Sequence, residues 1–154
     1  MAAEAGRVQA LLTAYRWVAF AGPRTTTGLG VALLGTITVP QLFLLGRRYP
    51  GWVHGWAVLA VAVALLAVTA MLRARSRVVA GLGWFGGSAV CAVSITLWLL
   101  SRTVGLPGLV GTVGRWDHPG ATAALGLAAA FLVLHVSLLL GVTVARPGRR
   151  HWHD

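Results

Sequence analysis

The chain has 154 residues, of which 57% are hydrophobic and 10% charged, with a mean hydropathy of +0.78 and a formal net charge of +10 at pH 7. Because soluble domains carry about 25% charged residues, this composition excludes an ordinary soluble domain. All thirteen basic residues are Arg, and they cluster beside apolar runs, where membrane orientation and anionic lipid explain them better than nucleic acid does. We therefore expect an integral membrane protein in contact with membrane lipids and without a nucleic-acid partner.

Residues 1–23 are predicted to form an amphipathic helix on the membrane surface. Apolar residues recur with helical spacing over residues 4–20, while polar residues such as Glu4 and Arg16 take the other side. The apolar run is interrupted by Arg16 and has no small-residue cleavage site, so no signal peptide is expected. The segment is expected to lie on the cytoplasmic leaflet or, alternatively, to dock onto a partner protein.

Four longer apolar runs follow, each of a length suited to crossing a bilayer. A hydrocarbon core of about 30 Å requires about 20 helical residues. The sequence therefore predicts an all-α fold, an integral membrane bundle of four transmembrane helices with an N-terminal amphipathic interfacial helix. Within a transmembrane domain of residues 24–146, the predicted spans are residues 26–46, 52–72, 79–101 and 120–145, and residues 147–154 form a cytoplasmic tail.

The distribution of arginines predicts the orientation of the bundle. If the N-terminus lies in the cytoplasm, the inner segments carry nine arginines and the outer loops carry four. The positive-inside rule then places both termini in the cytoplasm. Because Arg is used without any Lys or Asn, while Ala, Gly and Val dominate, a GC-rich bacterial genome is expected, and with it the bacterial inner membrane. Four tryptophans gather at the predicted outer interface, where an aromatic belt is expected: Trp52, Trp56, Trp98 and Trp116.

Acidic residues are absent from the predicted spans. The three acids of the chain are Glu4, Asp117 and Asp154, all of which lie outside them. Enzymes and ion-coupled transporters of the membrane usually keep ionisable groups inside the bilayer, and the sequence contains no paired carboxylates or phosphate-cradling loop. We therefore expect a non-catalytic protein rather than a proton-coupled antiporter, with bound lipid but no cofactor.

His135 is the one ionisable residue well inside a predicted span. It lies roughly 22 Å from the outer end of the fourth span, whereas His54 lies within about 5 Å of the outer interface. This difference in depth prevents the two histidines from holding one haem. Either His135 is hydrogen-bonded to a neighbouring helix through Ser94, Thr96 or its own chain, or it contacts a ligand or cofactor, including one shared with a partner chain.

A second group of candidate ligands lies on the predicted outer surface. His54, Asp117 and His118 have the side chains of a zinc or copper site, provided that the fold brings them together. The sequence Asp117-His118-Pro119 also suits an ordinary turn followed by a helix start. Both interpretations of these residues stay open.

Glycines in the spans predict surfaces of close helix contact. Gly83 and Gly87 lie one helical turn apart in the third span, and Gly126 is followed one turn later by Ala130 in the fourth. Such pairs of small residues let helices approach closely. We expect most of these surfaces to pack the bundle and the remainder to contact a partner subunit or a second copy of the chain.

The predicted outer loop after the third span is apolar and rich in glycine. Such a loop is expected to lie in the interface, to return into the bundle, or to contact another protein, with Arg102, Leu106 and Pro107 as candidate contacts. Arg102 would reach a lipid phosphate or a carboxylate. The loop begins with the run S-R-T-V-G-L-P from Ser101, and this S-R-T-x-G-L-P pattern directly after a Trp-bearing span resembles one in uncharacterised small actinobacterial four-helix membrane proteins. That resemblance implies a bacterial origin but no activity.

Three functions remain open from the sequence. An accessory or structural subunit of a larger bacterial membrane complex would explain the small-residue surfaces, the apolar loop and the lack of charge in the spans. A small oligomeric transporter or channel would use His135, Gln41 and the glycines as its lining. A redox or metal-handling protein would use His54, His118 or His135.

Overall fold

The computed structural model describes residues 22–116 and 119–145, and these residues form helices and no strands. Each of the four long helices is long and apolar enough to cross a membrane. The predicted four-helix membrane bundle is therefore confirmed, whereas residues 1–21, Asp117, His118 and the tail lie outside the described residues. The helices are α1 (Pro23–Leu45), α2 (Gly51–Arg73), α3 (Arg77–Thr103) and α4 (Pro119–Leu139), with a short 3₁₀ turn at Val110–Thr112.

The four helices are arranged as a ring. Helices α1 and α3 each pack against both α2 and α4. One cavity is lined by the last turns of α1 and α3 and by the first turns of α2 and α4, so successive helices are antiparallel. One end of the bundle is therefore formed by the ends of α1 and α3 and the beginnings of α2 and α4. We call it the cavity end, and the predicted orientation places it outside.

The last helix is shorter than the apolar run predicts, because a glycine ends it. Helix α4 ends at Leu139 instead of near residue 145. Gly141 has a φ of 72°, and its N–H donates to the carbonyl of Leu138 at 3.1 Å, while that of Val142 donates to the carbonyl of Ser137 at 2.9 Å. This pair of bonds is the Schellman motif, which satisfies the last carbonyls of a helix through a left-handed residue.

The core lies at mid-bundle around two aromatic rings. Trp84 of α3 and Phe131 of α4 are stacked, with ring centroids 5.4 Å apart. Small and branched side chains from all four helices surround the rings, and together these residues form one buried cluster. Its members are Leu34, Ile37, Ala64, Ala67, Met71, Trp84, Cys91, Ala128 and Phe131.

Two of the three predicted contact glycines are used inside the bundle. A Cβ atom at Gly83 would lie 2.8 Å from the carbonyl oxygen of Ala67, and one at Gly87 would lie 2.7 Å from Cζ of Phe131. A Cβ atom at Gly126 would have no neighbour within 4 Å, and this residue is exposed on α4. Gly83 and Gly87 therefore permit close packing within the chain, while Gly126 faces outward.

Candidate functional site

A cavity of about 300 Å³ lies at the cavity end. Its size is at the small end of the range for ligand pockets, about 300–1,000 Å³. Most of the lining side chains are apolar, and all four helices and the α3–α4 loop contribute to it. The apolar part of the lining includes Ile37, Leu44, Val53, Ile95, Leu106, Leu109, Leu125 and Ala128, together with the indole rings of Trp52, Trp56 and Trp98.

Arg102 supplies a positive charge to this cavity although only 8% of its surface is exposed. The Nη1 atom donates a hydrogen bond of 3.2 Å to the carbonyl of Thr112, and the guanidinium carbon lies 5.5 Å from the centre of the Trp98 ring. The buried Nε of Arg102 has no hydrogen-bond partner. The guanidinium therefore has a hydrogen-bond donor that the described residues leave unsatisfied.

Two further polar atoms at the cavity are without partners. Gln41 of α1 is also 8% exposed, and its Nε2 donates to Oγ of Ser94 on α3 at 3.3 Å, which leaves Oε1 unpaired. The indole Nε1 of Trp98 is buried and unpaired too. Since buried polar groups are nearly always hydrogen-bonded, three cavity-lining residues that each carry a buried, unpaired polar atom favour a site for a polar group.

The α3–α4 loop returns onto the end of α3 and covers one side of the cavity. Gly105, Gly108 and Gly114 all have φ values between 74° and 81°, a region that favours glycine. The N–H of Gly114 donates to the carbonyl of Arg102 at 3.0 Å, and Nε1 of Trp52 donates to the carbonyl of Pro107 at 3.0 Å. The loop therefore lies against the end of the bundle, where Leu106, Leu109 and Thr112 line the cavity, and its position relative to a membrane interface or another protein stays a prediction.

The two candidate histidines lie at opposite ends of the bundle. Nε2 of His54, in the first turn of α2, lies 2.9 Å from the carbonyl oxygen of Arg47. Nδ1 of His135, near the end of α4, lies 2.6 Å from Oγ of Ser88, and its ring stacks on Trp84 at 5.9 Å. His135 thus bonds to the neighbouring helix α3, but to Ser88 rather than to Ser94 or Thr96.

The predicted outer metal site stays a prediction. Asp117 and His118 lie outside the described residues. Among residues 22–116 and 119–145, no three His, Cys, Asp or Glu side chains lie close enough together to hold a metal ion. His54 lies at the cavity end, but its side chain does not line the cavity.

The three predicted contact residues of the loop do not all lie in the same place. Arg102 and Leu106 both line the cavity, whereas Pro107 is exposed and accepts the hydrogen bond from Trp52. The sequence does not predict the pairing of Gln41 with Ser94. The signal for it is a polar side chain at the same end of two apolar spans.

Comparison of the chain with protein-family models, with curated proteins and with solved structures finds no match. The fold and the cavity are therefore the features that bear on the function. They describe a bundle of four potential membrane spans with a largely apolar cavity and a buried cation at one end.

Proposed function

We propose that this protein is a non-catalytic, multi-pass protein of the bacterial cytoplasmic membrane that binds an amphipathic molecule in the cavity. The observation that carries the proposal is the cavity itself, with about 300 Å³ of space, apolar walls, and unpaired polar atoms of Gln41, Trp98 and Arg102. Ligand sites typically combine apolar walls with a few convergent polar groups in this way.

The lining favours binding over catalysis. Among the described residues that form it there is no Asp, Glu, His or Cys, the side chains that most often act as general bases or activated nucleophiles. The hydroxyl groups of its two serines and of Thr112 are engaged in the fold: Oγ of Ser101 donates to the carbonyl of Trp98 at 2.7 Å, Oγ of Ser94 accepts from Gln41, and Oγ1 of Thr112 donates to the carbonyl of Ser101 at 2.9 Å.

Quenching of tryptophan fluorescence by a brominated amphiphile tests the proposal. Because Trp52, Trp56 and Trp98 line the cavity, dibromostearate or its methyl ester bound there would quench them. We expect a saturable component of quenching in mild detergent. Ala124 lines the cavity whereas Ala123 is exposed on the same helix, so Ala124→Phe should remove this component and Ala123→Phe should retain it. Equal quenching in both variants would show that the amphiphile binds only to the micelle or the outer surface.

A role as an accessory subunit of a larger membrane complex is a second candidate, and the open side of α4 favours it. Only Ala128 and Phe131 are buried among the residues of α4, whereas Gly126 and its neighbours Ala123 and Ala130 are exposed. A surface of such small residues allows another transmembrane helix, from a different subunit or a second copy, to approach closely.

Native purification in mild detergent followed by mass spectrometry tests this second candidate. We expect foreign chains in fixed stoichiometry with the wild type and their loss from Gly126→Leu. Gly28 on α1 is exposed and also open around its Cβ position, so Gly28→Leu is the matched control. A clean monomer of the wild type would exclude the subunit role and leave ligand binding unaffected.

Transport through the bundle has less support. One helical turn beyond the cavity lie three fully buried residues of the core cluster, namely Leu34 of α1, Cys91 of α3 and Phe131 of α4. Passage of a solute would require these three side chains to separate, or a pathway formed between several copies of the chain. The redox and metal-handling alternatives depend on His54, His118 or His135; His54 and His135 do not line the cavity, and His118 lies outside the described residues.

A further inference from the structure

We infer that the head group of the amphiphile is an anion, either a carboxylate or a phosphate, and that Arg102 selects it. This inference rests on the proposed binding function and adds the chemical class of the ligand. It depends on the burial of Arg102, on the charges available to balance it, and on the polar atoms grouped beside it.

Arg102 is a buried charge that the described residues balance only in part. An arginine side chain stays protonated in proteins, and a buried ion without a counter-ion costs several kcal/mol. Arg102 lies in the last turn of α3, where the helix dipole supplies about half a negative charge, and the carbonyl of Thr112 and the ring of Trp98 add weak attraction. These groups leave a net positive charge at the cavity.

The described residues contain no carboxylate that could complete the balance. The chain has three acids, Glu4, Asp117 and Asp154, and all of them lie outside the described residues. An anionic head group in the cavity would supply the missing charge. It would also lie beside Arg102, which lines the cavity and whose Nε lacks an acceptor.

The unpaired atoms match an oxygen-rich anion. Nε of Arg102 and Nε1 of Trp98 are both buried donors without acceptors, and a carboxylate or phosphate presents several acceptor oxygens at once. The amide of Gln41, whose Oε1 is unpaired, can accept from a hydroxyl or protonated oxygen of the same head group. The apolar lining then accommodates the beginning of an alkyl chain.

Competition between anionic and neutral forms of one probe tests the inference. Dibromostearate and its methyl ester share the same chain, so at alkaline pH they differ in charge and head-group size. We expect the component of quenching that Ala124→Phe removes to show about tenfold to a hundredfold tighter binding of the anion, the range that charge-assisted hydrogen bonds supply. A brominated phosphatidic acid against the matching diacylglycerol distinguishes a phosphate from a carboxylate.

Variants identify the residue that is responsible. Arg102→Gln should bind the anion and the ester equally, and Arg102→Lys, which keeps the charge, should retain part of the preference. Arg48 is exposed in the loop between α1 and α2, so Arg48→Gln is the matched control and should retain all of it. Continued binding of the ester by Arg102→Gln shows that the cavity is intact. If that variant does not fold, the inference is tested by the ratio of the affinities for the anion and the ester in the wild type and in Arg102→Lys.

Three results would overturn the inference. Equal affinity of the wild type for both members of each probe pair would show that the site takes neutral head groups, while the proposed binding function would stand. Absence of any cavity-dependent quenching would instead remove the proposed function. A preference for the anion that appears only in Asp117→Asn would show that the counter-ion of Arg102 is a carboxylate of its own chain.

Discussion

Alanine at Gly83 tests the closest contact between α2 and α3. Its Cβ would lie 2.8 Å from the carbonyl oxygen of Ala67 and 3.0 Å from Cγ of Met71. The oxygen belongs to the backbone of α2, so the two helices must move apart by a few tenths of an ångström. Overpacking of this kind costs about 1–3 kcal/mol. We expect Gly83→Ala to lower the free energy of unfolding by that amount, despite the helix propensity that alanine adds.

The single cysteine of the chain supplies the assay. Cys91 is fully buried, so a thiol-reactive dye labels it only when the bundle opens, and labelling during heating in mild detergent reports unfolding. Gly126→Ala is the matched control. With no atom within 4 Å of the new Cβ, it should leave stability unchanged or raise it by about 0.5–1 kcal/mol. Equal labelling temperatures for Gly83→Ala and Gly126→Ala would refute the helix contact.

The remaining predictions concern orientation and the polar bond near the other end of the bundle. In a Cys91→Ala background, Val110→Cys should react with a membrane-impermeant thiol reagent from outside intact cells, and Arg75→Cys should react only after lysis; the reverse pattern would overturn the predicted orientation. Ser88→Ala should destabilise the bundle by about 1–3 kcal/mol, because Nδ1 of His135 loses its partner in a half-buried site. Dye labelling of Cys91 on heating measures this effect, and an unchanged labelling temperature would contradict the bond.

The fold was predictable because length and hydropathy constrain a membrane helix strongly. Four apolar runs of about 20 residues leave few alternatives in a bilayer. Helix ends were less predictable, because they depend on single capping groups. Helix α3 begins at Arg77 since Oγ of Ser76 accepts from the N–H of Val79 at 3.3 Å, and the Schellman motif at Gly141 ends α4 inside a run that is apolar on both sides.

The sequence identified some residues of the candidate site but not how they are arranged. Arg102 and Leu106 were identified from an unusual loop, but the sequence pointed Arg102 outward to lipid or a partner. The structure buries it because the loop turns back at Gly105, Gly108 and Gly114, and a turn of that kind cannot be located from composition. Bonds between distant positions, such as Gln41 with Ser94 across 53 residues, depend on how the helices are rotated about their axes.

The length of α3 has a consequence for how the cavity meets the bilayer. Arg77 and Arg102 are 25 residues apart near the two ends of this helix, which corresponds to about 38 Å. The hydrocarbon core is about 30 Å thick and the full bilayer about 40–45 Å, so when Arg77 reaches the headgroups on one side, Arg102 lies at headgroup depth on the other. An anionic lipid would then reach Arg102 by lateral diffusion within one leaflet. The head group of the lipid would stay at its usual depth, and its alkyl chains would not pass through water.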